Sequence, residues 1–282
     1  MKPFQFFICK STLFFFLFVG CASAPEVLFK DRVDTETKSI SYQQKRTFIF
    51  AESGVSFSNQ FEGARLNAVD QLNDSTYIVF IQPENEPINH SPFYAFNVWS
   101  SSAKEITLKF KYPGKYKHRY IPKIKSNGVW SVADSLNFQY DENFSSLKLQ
   151  INAIAKTVSG QELHTSSIVY SWVDQLIEGK ESFVRSKTIG KTRLKRPFRV
   201  LDIYKGTAKN KPVLVLLTRQ HPPEVTGYFA FQAFLSTILE ENKLSTSFLE
   251  HYRILAFPLM NPDGVDLGHW RHNAGGVDTN RD

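Results

Sequence analysis

Two patterns of apolar positions divide the chain. From about residue 59 to residue 171, apolar residues fall in short, alternating runs rich in β-branched and aromatic types, at 76–81, 93–98, 105–112, 147–154 and 166–172. Turn-forming clusters separate these runs: Pro83-Glu84-Asn85, Pro113-Gly114, Ser126-Asn127-Gly128 and Ser159-Gly160. Alternation sends successive side chains to opposite faces of a strand, so short runs with this punctuation predict an antiparallel β-sandwich. The polar stretch Ile177-Glu178-Gly179-Lys180-Glu181 closes the region. Beyond it the pattern predicts strands at 197–204 and 212–217, a long apolar helix over 225–239 and a further strand at 252–260. Strand, strand, helix, strand is an α/β layout.

The first residues follow neither pattern. Lys2 and Lys10 flank and interrupt an apolar start, and 13–19 is a continuous apolar run. That run is too short to span a bilayer but has the length of a signal-peptide core. Ala22-Ser23-Ala24 offers a cleavage site followed awkwardly by Pro25, whereas Phe18-Val19-Gly20-Cys21 resembles a bacterial lipobox. Cysteine use favours the second reading. The 282-residue chain has two cysteines, Cys9 and Cys21, so no internal disulfide can form in the exported product. We therefore expect residues 1–24 to be a lipoprotein-type signal peptide with lipidation at Cys21, an exported protein of a bacterial envelope held to the membrane by its lipid, with simple secretion as the alternative. Residues 25–54 are polar and weakly patterned, and are expected to form a tether.

Composition changes this picture little. Apolar content of 42% and charged content of 22% are ordinary for a folded domain, and +7 of formal net charge is no argument for nucleic acid. Seven basic residues and no acidic ones lie between Arg185 and Arg199, which reads first as a solvated surface hairpin.

The stretch richest in chemistry is Thr218-Arg219-Gln220-His221-Pro222-Pro223-Glu224. It joins the strand at 212–217 to the helix at 225–239. Pro222 and Pro223 fit only before that helix or within its first turn, where a missing N–H is harmless. His221 and Glu224 thus stand at the carboxyl end of a strand, where open α/β sheets bind ligands. Imidazole and carboxylate three residues apart make half of a zinc site. Farther on come Asn261-Pro262-Asp263-Gly264, a turn signal, then Arg271-His272-Asn273 and Gly276-Val277-Asp278-Thr279-Asn280-Arg281.

Taken in this order, these pieces resemble the zinc metallocarboxypeptidase family. Phe61-Glu62-Gly63-Ala64-Arg65-Leu66, Pro83-Glu84-Asn85, residues 91–96, His118-Arg119-Tyr120 and residues 126–130 resemble the β-domain of its cytosolic-carboxypeptidase-like subgroup. The resemblance implies an α+β two-domain protein: an antiparallel β-sandwich over 55–176, then, over 181–282, the amino-terminal part of an α/β carboxypeptidase domain with a mixed sheet. It implies zinc as cofactor, His221 and Glu224 as two of three metal ligands, Arg271 as the oxyanion-stabilising arginine, and Asn280 and Arg281 as the grip on the substrate's terminal carboxylate. The partner would be the carboxyl-terminal tail of a peptide or protein.

The family's third zinc ligand (a His), a substrate-contacting Tyr and its catalytic Glu follow the Asn-Arg pair, whereas this sequence reads to Asp282. The expectation is a partial sequence, inactive as it stands. A non-catalytic peptide-binding envelope lipoprotein and an amidohydrolase-type relative that removes acyl groups are the competing readings. Nothing in the sequence sets the oligomeric state.

Overall fold

The computed structural model describes residues 37–86, 90–141 and 144–281, so the expected leader and Cys21 lie outside the described residues. The first strands are β1 (Thr47–Phe50), β2 (Val55–Ser58), β3 (Ala68–Asn73), β4 (Thr76–Phe80), β5 (Ala95–Ser100), β6 (Lys104–Lys111), β7 (Lys123–Ser126), β8 (Val129–Val132), β9 (Phe138–Gln139), β10 (Ser146–Ile151) and β11 (Lys156–Ser159). They form two sheets, ordered β1-β2-β5-β11-β7-β8 and β3-β4-β6-β10-β9. The pairs are antiparallel except β4 with β6, which run parallel because the chain crosses to the other sheet as β5 between them. Alternation sets what is buried: Ile106, Leu108 and Phe110 of β6 point inward while Thr107 and Lys109 do not. They meet Phe57, Phe96 and Val98 of the other sheet in one apolar core, where the rings of Phe57 and Tyr77 lie 5.2 Å apart.

Next come α1 (Ser166–Ile177), β12 (Val184–Lys191), β13 (Pro197–Ile203), β14 (Val213–Leu217), α2 (Val225–Ile238), α3 (Lys243–His251), β15 (Arg253–Phe257) and α4 (Pro262–Leu267). Their sheet is mixed, ordered β12-β13-β15-β14, with β14 parallel to β15 and the other pairs antiparallel. A parallel pair needs a long crossover, and α2 and α3 supply it. Val169 and Val173 of α1 and Tyr228, Phe231 and Leu235 of α2 cover Leu201, Ile203, Ile254 and Ala256 of the sheet. The fold is α+β with two cores.

Three expectations need correction. Residues 166–172 are the start of helix α1, not a strand. Their β-branched and aromatic content mimics a strand, but the buried set, Val169, Tyr170 and Val173, has helical spacing. The helix is capped from a distance: Asp266 accepts hydrogen bonds from the Ser166 backbone N–H (2.7 Å) and hydroxyl (2.5 Å). A carboxylate at a helix amino terminus is favoured by the dipole and by the unpaired N–H groups there. Second, the expected tether at 25–54 is partly built into the fold, since β1 pairs with β2 and Ser41 donates to the Glu84 carbonyl. Third, Asn261-Pro262-Asp263-Gly264 opens α4 rather than forming a free turn. Asn261 is its N-cap, accepting from the Gly264 N–H at 2.9 Å, with proline in the first turn.

The basic run is the β12–β13 hairpin, and three of its cations are paired: Arg196 with Asp263 (3.2 Å) and Asp266 (2.5 Å), Arg199 with Asp174 (2.5 Å) and Lys187 with Asp202 (3.6 Å).

The two cores meet along one seam. Trp270, from the carboxyl-terminal segment, is fully buried within the sandwich core, and its indole N–H donates to the Phe93 carbonyl at 2.8 Å. Beside it the Arg65 guanidinium donates to the Gly268 carbonyl at 2.8 Å. Gly268 ends α4 in the left-handed conformation, φ 66°, and a Cβ there would lie 2.4 Å from the Ala64 carbonyl oxygen. Replacing Gly268 by alanine therefore combines an unfavourable φ with a backbone clash across the seam. The expected loss is about 2 kcal/mol or more in urea-unfolding free energy; a change below about 0.5 kcal/mol would show that the seam yields.

Candidate metal and carboxylate-binding site

The site begins where β14 ends. Backbone bonds pin the outgoing loop to its neighbour: Met260 N–H donates to Thr218 (3.0 Å) and Asn261 N–H to Arg219 (3.2 Å). The two prolines occupy the turn before α2, and Glu224 is the N-cap of that helix. The short polar side chains favoured at an N-cap accept from backbone N–H groups, whereas the longer Glu224 makes no capping bond. Its Oε1 lies instead 2.7 Å from His221 Nδ1. His221 is 3% exposed and Glu224 half-exposed, so the pair looks outward from a buried base.

The other face of the imidazole is held by Asp278, whose Oδ1 lies 2.8 Å from His221 Nε2. Asp278 is a hub. Its Oδ2 accepts from Arg271 Nε at 2.5 Å and from an Arg281 terminal nitrogen at 3.2 Å, while Oδ1 also accepts from the Asn280 backbone N–H at 3.2 Å. Burial opposes charge on Asp278, but its bonds to His221 and Arg271 outweigh this and bring its pKa down to about 2. Burial likewise disfavours a charged His221, yet contacts with Asp278 and Glu224 raise its pKa above the ordinary histidine value. Asp278 thus joins the imidazole to two arginines arriving from the far end of the chain.

Arg271 is placed by its backbone as much as by its side chain. Glu84, fully buried at the edge of the sandwich, accepts three consecutive backbone N–H groups: Trp270 (2.7 Å), Arg271 (2.9 Å) and His272 (2.8 Å). The His272 ring approaches the same carboxylate at 3.2 Å. Burial alone would raise the Glu84 pKa. The His272 ring bond, nearby His269 and Arg65 and the His272 N–H together hold it well below the usual carboxylate range. His269 turns to the His272 carbonyl (2.9 Å), and burial keeps it neutral with a pKa of about 4.

The donor set suits zinc on one side. With Nε2 committed to Asp278, His221 Nδ1 and Glu224 Oε1 remain side by side as an imidazole and a carboxylate, ligand types that zinc accepts. A carboxylate behind a metal-binding histidine fixes the ring and raises its basicity. Metal at Nδ1 requires loss of any proton there. Among the described residues no group of three His, Cys, Asp or Glu side chains gathers at a distance to hold a metal.

With this geometry in place, comparison with known proteins is decisive. Residues 169–282 match the family model described as zinc carboxypeptidase. Over those residues the chain carries a zinc carboxypeptidase domain. It is 22% identical over 249 residues to cytosolic carboxypeptidase 6 of Mus musculus, a match covering 80% of this chain and 46% of that protein. The Caenorhabditis elegans cytosolic carboxypeptidase 6 is also 22% identical, over 80% of this chain and 53% of its own length. The chain therefore spans about half the length of these curated relatives. In fold it is similar to a metallo-carboxypeptidase from Burkholderia cenocepacia, with a TM-score of 0.66 at 14% identity over 79% of this chain and 60% of that one. A metallo-carboxypeptidase from Pseudomonas aeruginosa gives 0.64 at 16% identity, over the same shares.

The structure brings His221, Glu224, Arg271 and Arg281 to one place, and leaves the Asn280 side chain exposed beside them. Sequence reasoning left two residues without a role. Asp278 stands in the same motif as Asn280 and Arg281, and a carboxylate is one of the usual partners behind a metal-binding histidine, so a signal for it existed. Glu84 lies 186 residues from the first N–H it binds, and no local pattern could connect the two.

A depressed carboxylate stabilises the fold above its unfolded pKa and loses that contribution as pH falls towards its folded pKa. For Glu84 the loss begins below about pH 4.5. Glu84→Gln, whose amide nitrogen would face N–H donors, is expected to cost about 3 kcal/mol or more in urea unfolding at pH 7. The gap between wild type and variant should narrow at pH 3; a gap independent of pH would contradict the charged-acceptor role.

Proposed function

We propose that this chain provides the first two metal ligands and the substrate-carboxylate grip of a zinc-dependent metallocarboxypeptidase that hydrolyses carboxyl-terminal peptide bonds. The observation that carries the proposal is the convergence on Asp278 of His221, Arg271 and Arg281, three residues whose roles the family resemblance implies separately.

When bound, zinc would supply a Lewis acid and a water of lowered pKa. His221 Nδ1 and Glu224 would be its ligands from this chain, and Asp278 would orient His221. Arg271 spends Nε on Asp278, and its terminal nitrogens make no hydrogen bond among the described residues. They are the groups that would meet negative charge developing on the scissile carbonyl oxygen, where a preorganised cation is most effective. Arg281 can present parallel N–H groups to a terminal carboxylate, the geometry for which guanidinium is suited. Asn280, exposed beside it, would add an amide donor. The products would be a free amino acid and a peptide shortened by one residue. The third ligand, a histidine, and the general-base glutamate are expected from the rest of the catalytic domain. The Phe18-Val19-Gly20-Cys21 motif supports an exported enzyme anchored to a bacterial envelope membrane through lipid on Cys21.

In the complete catalytic domain, zinc should survive dialysis at about one ion per chain and be lost in His221→Ala, as read by metal analysis. The wild type should release carboxyl-terminal residues from peptides. Retained zinc without peptide release would favour the binding-lipoprotein reading instead. Arg281→Ala is expected to raise KM about 10- to 100-fold for substrates with a free terminal carboxylate, with a smaller effect on kcat; an unchanged KM would remove Arg281 from the grip.

A further inference from the structure

Arg219 stands out among groups the proposed chemistry leaves unused. It is 4% exposed, and among the described residues no carboxylate oxygen lies within salt-bridge distance of it. Its φ is 58°, in the left-handed region, where a Cβ costs about 1–2 kcal/mol. Glycine would suit the backbone better, so the retention of a long, buried cation calls for a cause in the side chain. Its contacts supply one. One terminal nitrogen donates to the Pro222 carbonyl at 2.7 Å, inside the turn between His221 and Glu224. The other donates to the His164 carbonyl at 3.2 Å, on the segment that leads from the sandwich into α1. The guanidinium lies 5.7 Å from the centroid of Tyr228 on α2, and the His164 ring packs 5.1 Å from the same tyrosine. Burial lowers the Arg219 pKa to about 10, which leaves it cationic at neutral pH.

We propose that Arg219 is a positioning residue for the metal pair: its guanidinium clamps the His221–Glu224 turn from inside and fixes it against α2 and the sandwich connector. This role rests on the reading of His221 and Glu224 as metal ligands. Little else ties the Pro222 carbonyl to the rest of the fold. Pro222 and Pro223 offer no N–H groups, and among the described residues the backbone bonds of the turn are Glu224 N–H to the His221 carbonyl at 3.2 Å and Val225 N–H to the Pro223 carbonyl at 2.9 Å, neither of which engages the Pro222 carbonyl. Gln220, just before the pair, is anchored outward instead: its side chain donates to the Thr279 carbonyl (2.9 Å), and its carbonyl accepts from the Thr279 hydroxyl (2.8 Å). The prolines stiffen the turn itself, so what the clamp adds is a tie between that turn and the rest of the fold; without it the turn would be free to shift as a unit against α2. A donor rigid enough to hold this carbonyl and a second one on another segment is what the planar guanidinium provides and a lysine does not.

The test is zinc affinity of the complete protein, measured by competition with a chromogenic chelator, beside urea-unfolding curves of the metal-free forms. Arg219→Gly relieves the backbone while removing the clamp, and should weaken zinc binding about 10- to 100-fold. Arg219→Lys, able to reach one of the two carbonyls, should fall between it and wild type and serves if the glycine variant does not fold. A dissociation constant within about 2-fold of wild type in either folded variant, with only the unfolding curve shifted, would overturn the proposal and leave Arg219 a structural filler. Absence of zinc binding by the wild type would instead remove the metal reading, and this proposal with it.

Discussion

The structure turns on one buried carboxylate. Glu84 accepts the backbone N–H groups of Trp270, Arg271 and His272 in succession, and it does so from the sandwich, on the opposite side of the seam. Three parallel N–H groups left without an acceptor would be costly in a buried setting, and a lone buried carboxylate would be costlier still. Each solves the other's problem. The arrangement also makes the β-domain more than an appendage: the backbone position of Arg271 is set by a residue that the carboxyl-terminal segment does not contain. Trp270 reinforces this by placing its indole within the sandwich core.

A second carboxylate organises the front of the site as Glu84 organises the back. Asp278 holds the imidazole of His221 and restrains both arginines, so the proposed metal ligand, oxyanion arginine and carboxylate grip would share a single reference point. The segment that carries it is itself held down by the amino-terminal strap. Lys38 N–H donates to the Gly276 carbonyl, and Gly276 adopts φ 84° where a Cβ would collide with the Lys38 carbonyl. Glycine is the residue that tolerates both demands. The chain from β14 to Arg281 is thus fixed at its base by the sheet, at its back by Glu84 and at its end by residues before β1.

Much of this was legible in the sequence where the signal is local. The strand before Thr218, the di-proline turn and the apolar run after it place His221 and Glu224 correctly, because backbone stiffness and strand–helix succession are local properties. The strands around 76–81, 105–112 and 147–154 were legible for the same reason, since alternation is a short-range pattern. Helix α1 was not: Ile168, Val169, Tyr170 and Trp172 are types that strands favour, and the carboxylate that caps the helix, Asp266, lies one hundred residues on. The joining of residues before Thr47 to the fold was equally hidden, because polar side chains such as Gln43 act there through bonds to the Ala64 and Leu267 carbonyls. Long-range polar contacts leave no periodic trace.

The central claim is that His221 and Glu224 hold zinc through Nδ1 and a carboxylate oxygen while Asp278 occupies Nε2. The most direct measurement is an anomalous difference map from crystals of the complete protein, with data collected on either side of the zinc absorption edge. The account predicts one strong peak bonded to His221 Nδ1 and Glu224, with Asp278 still hydrogen-bonded to Nε2. No peak, or a peak at Nε2 with Asp278 displaced, would contradict it.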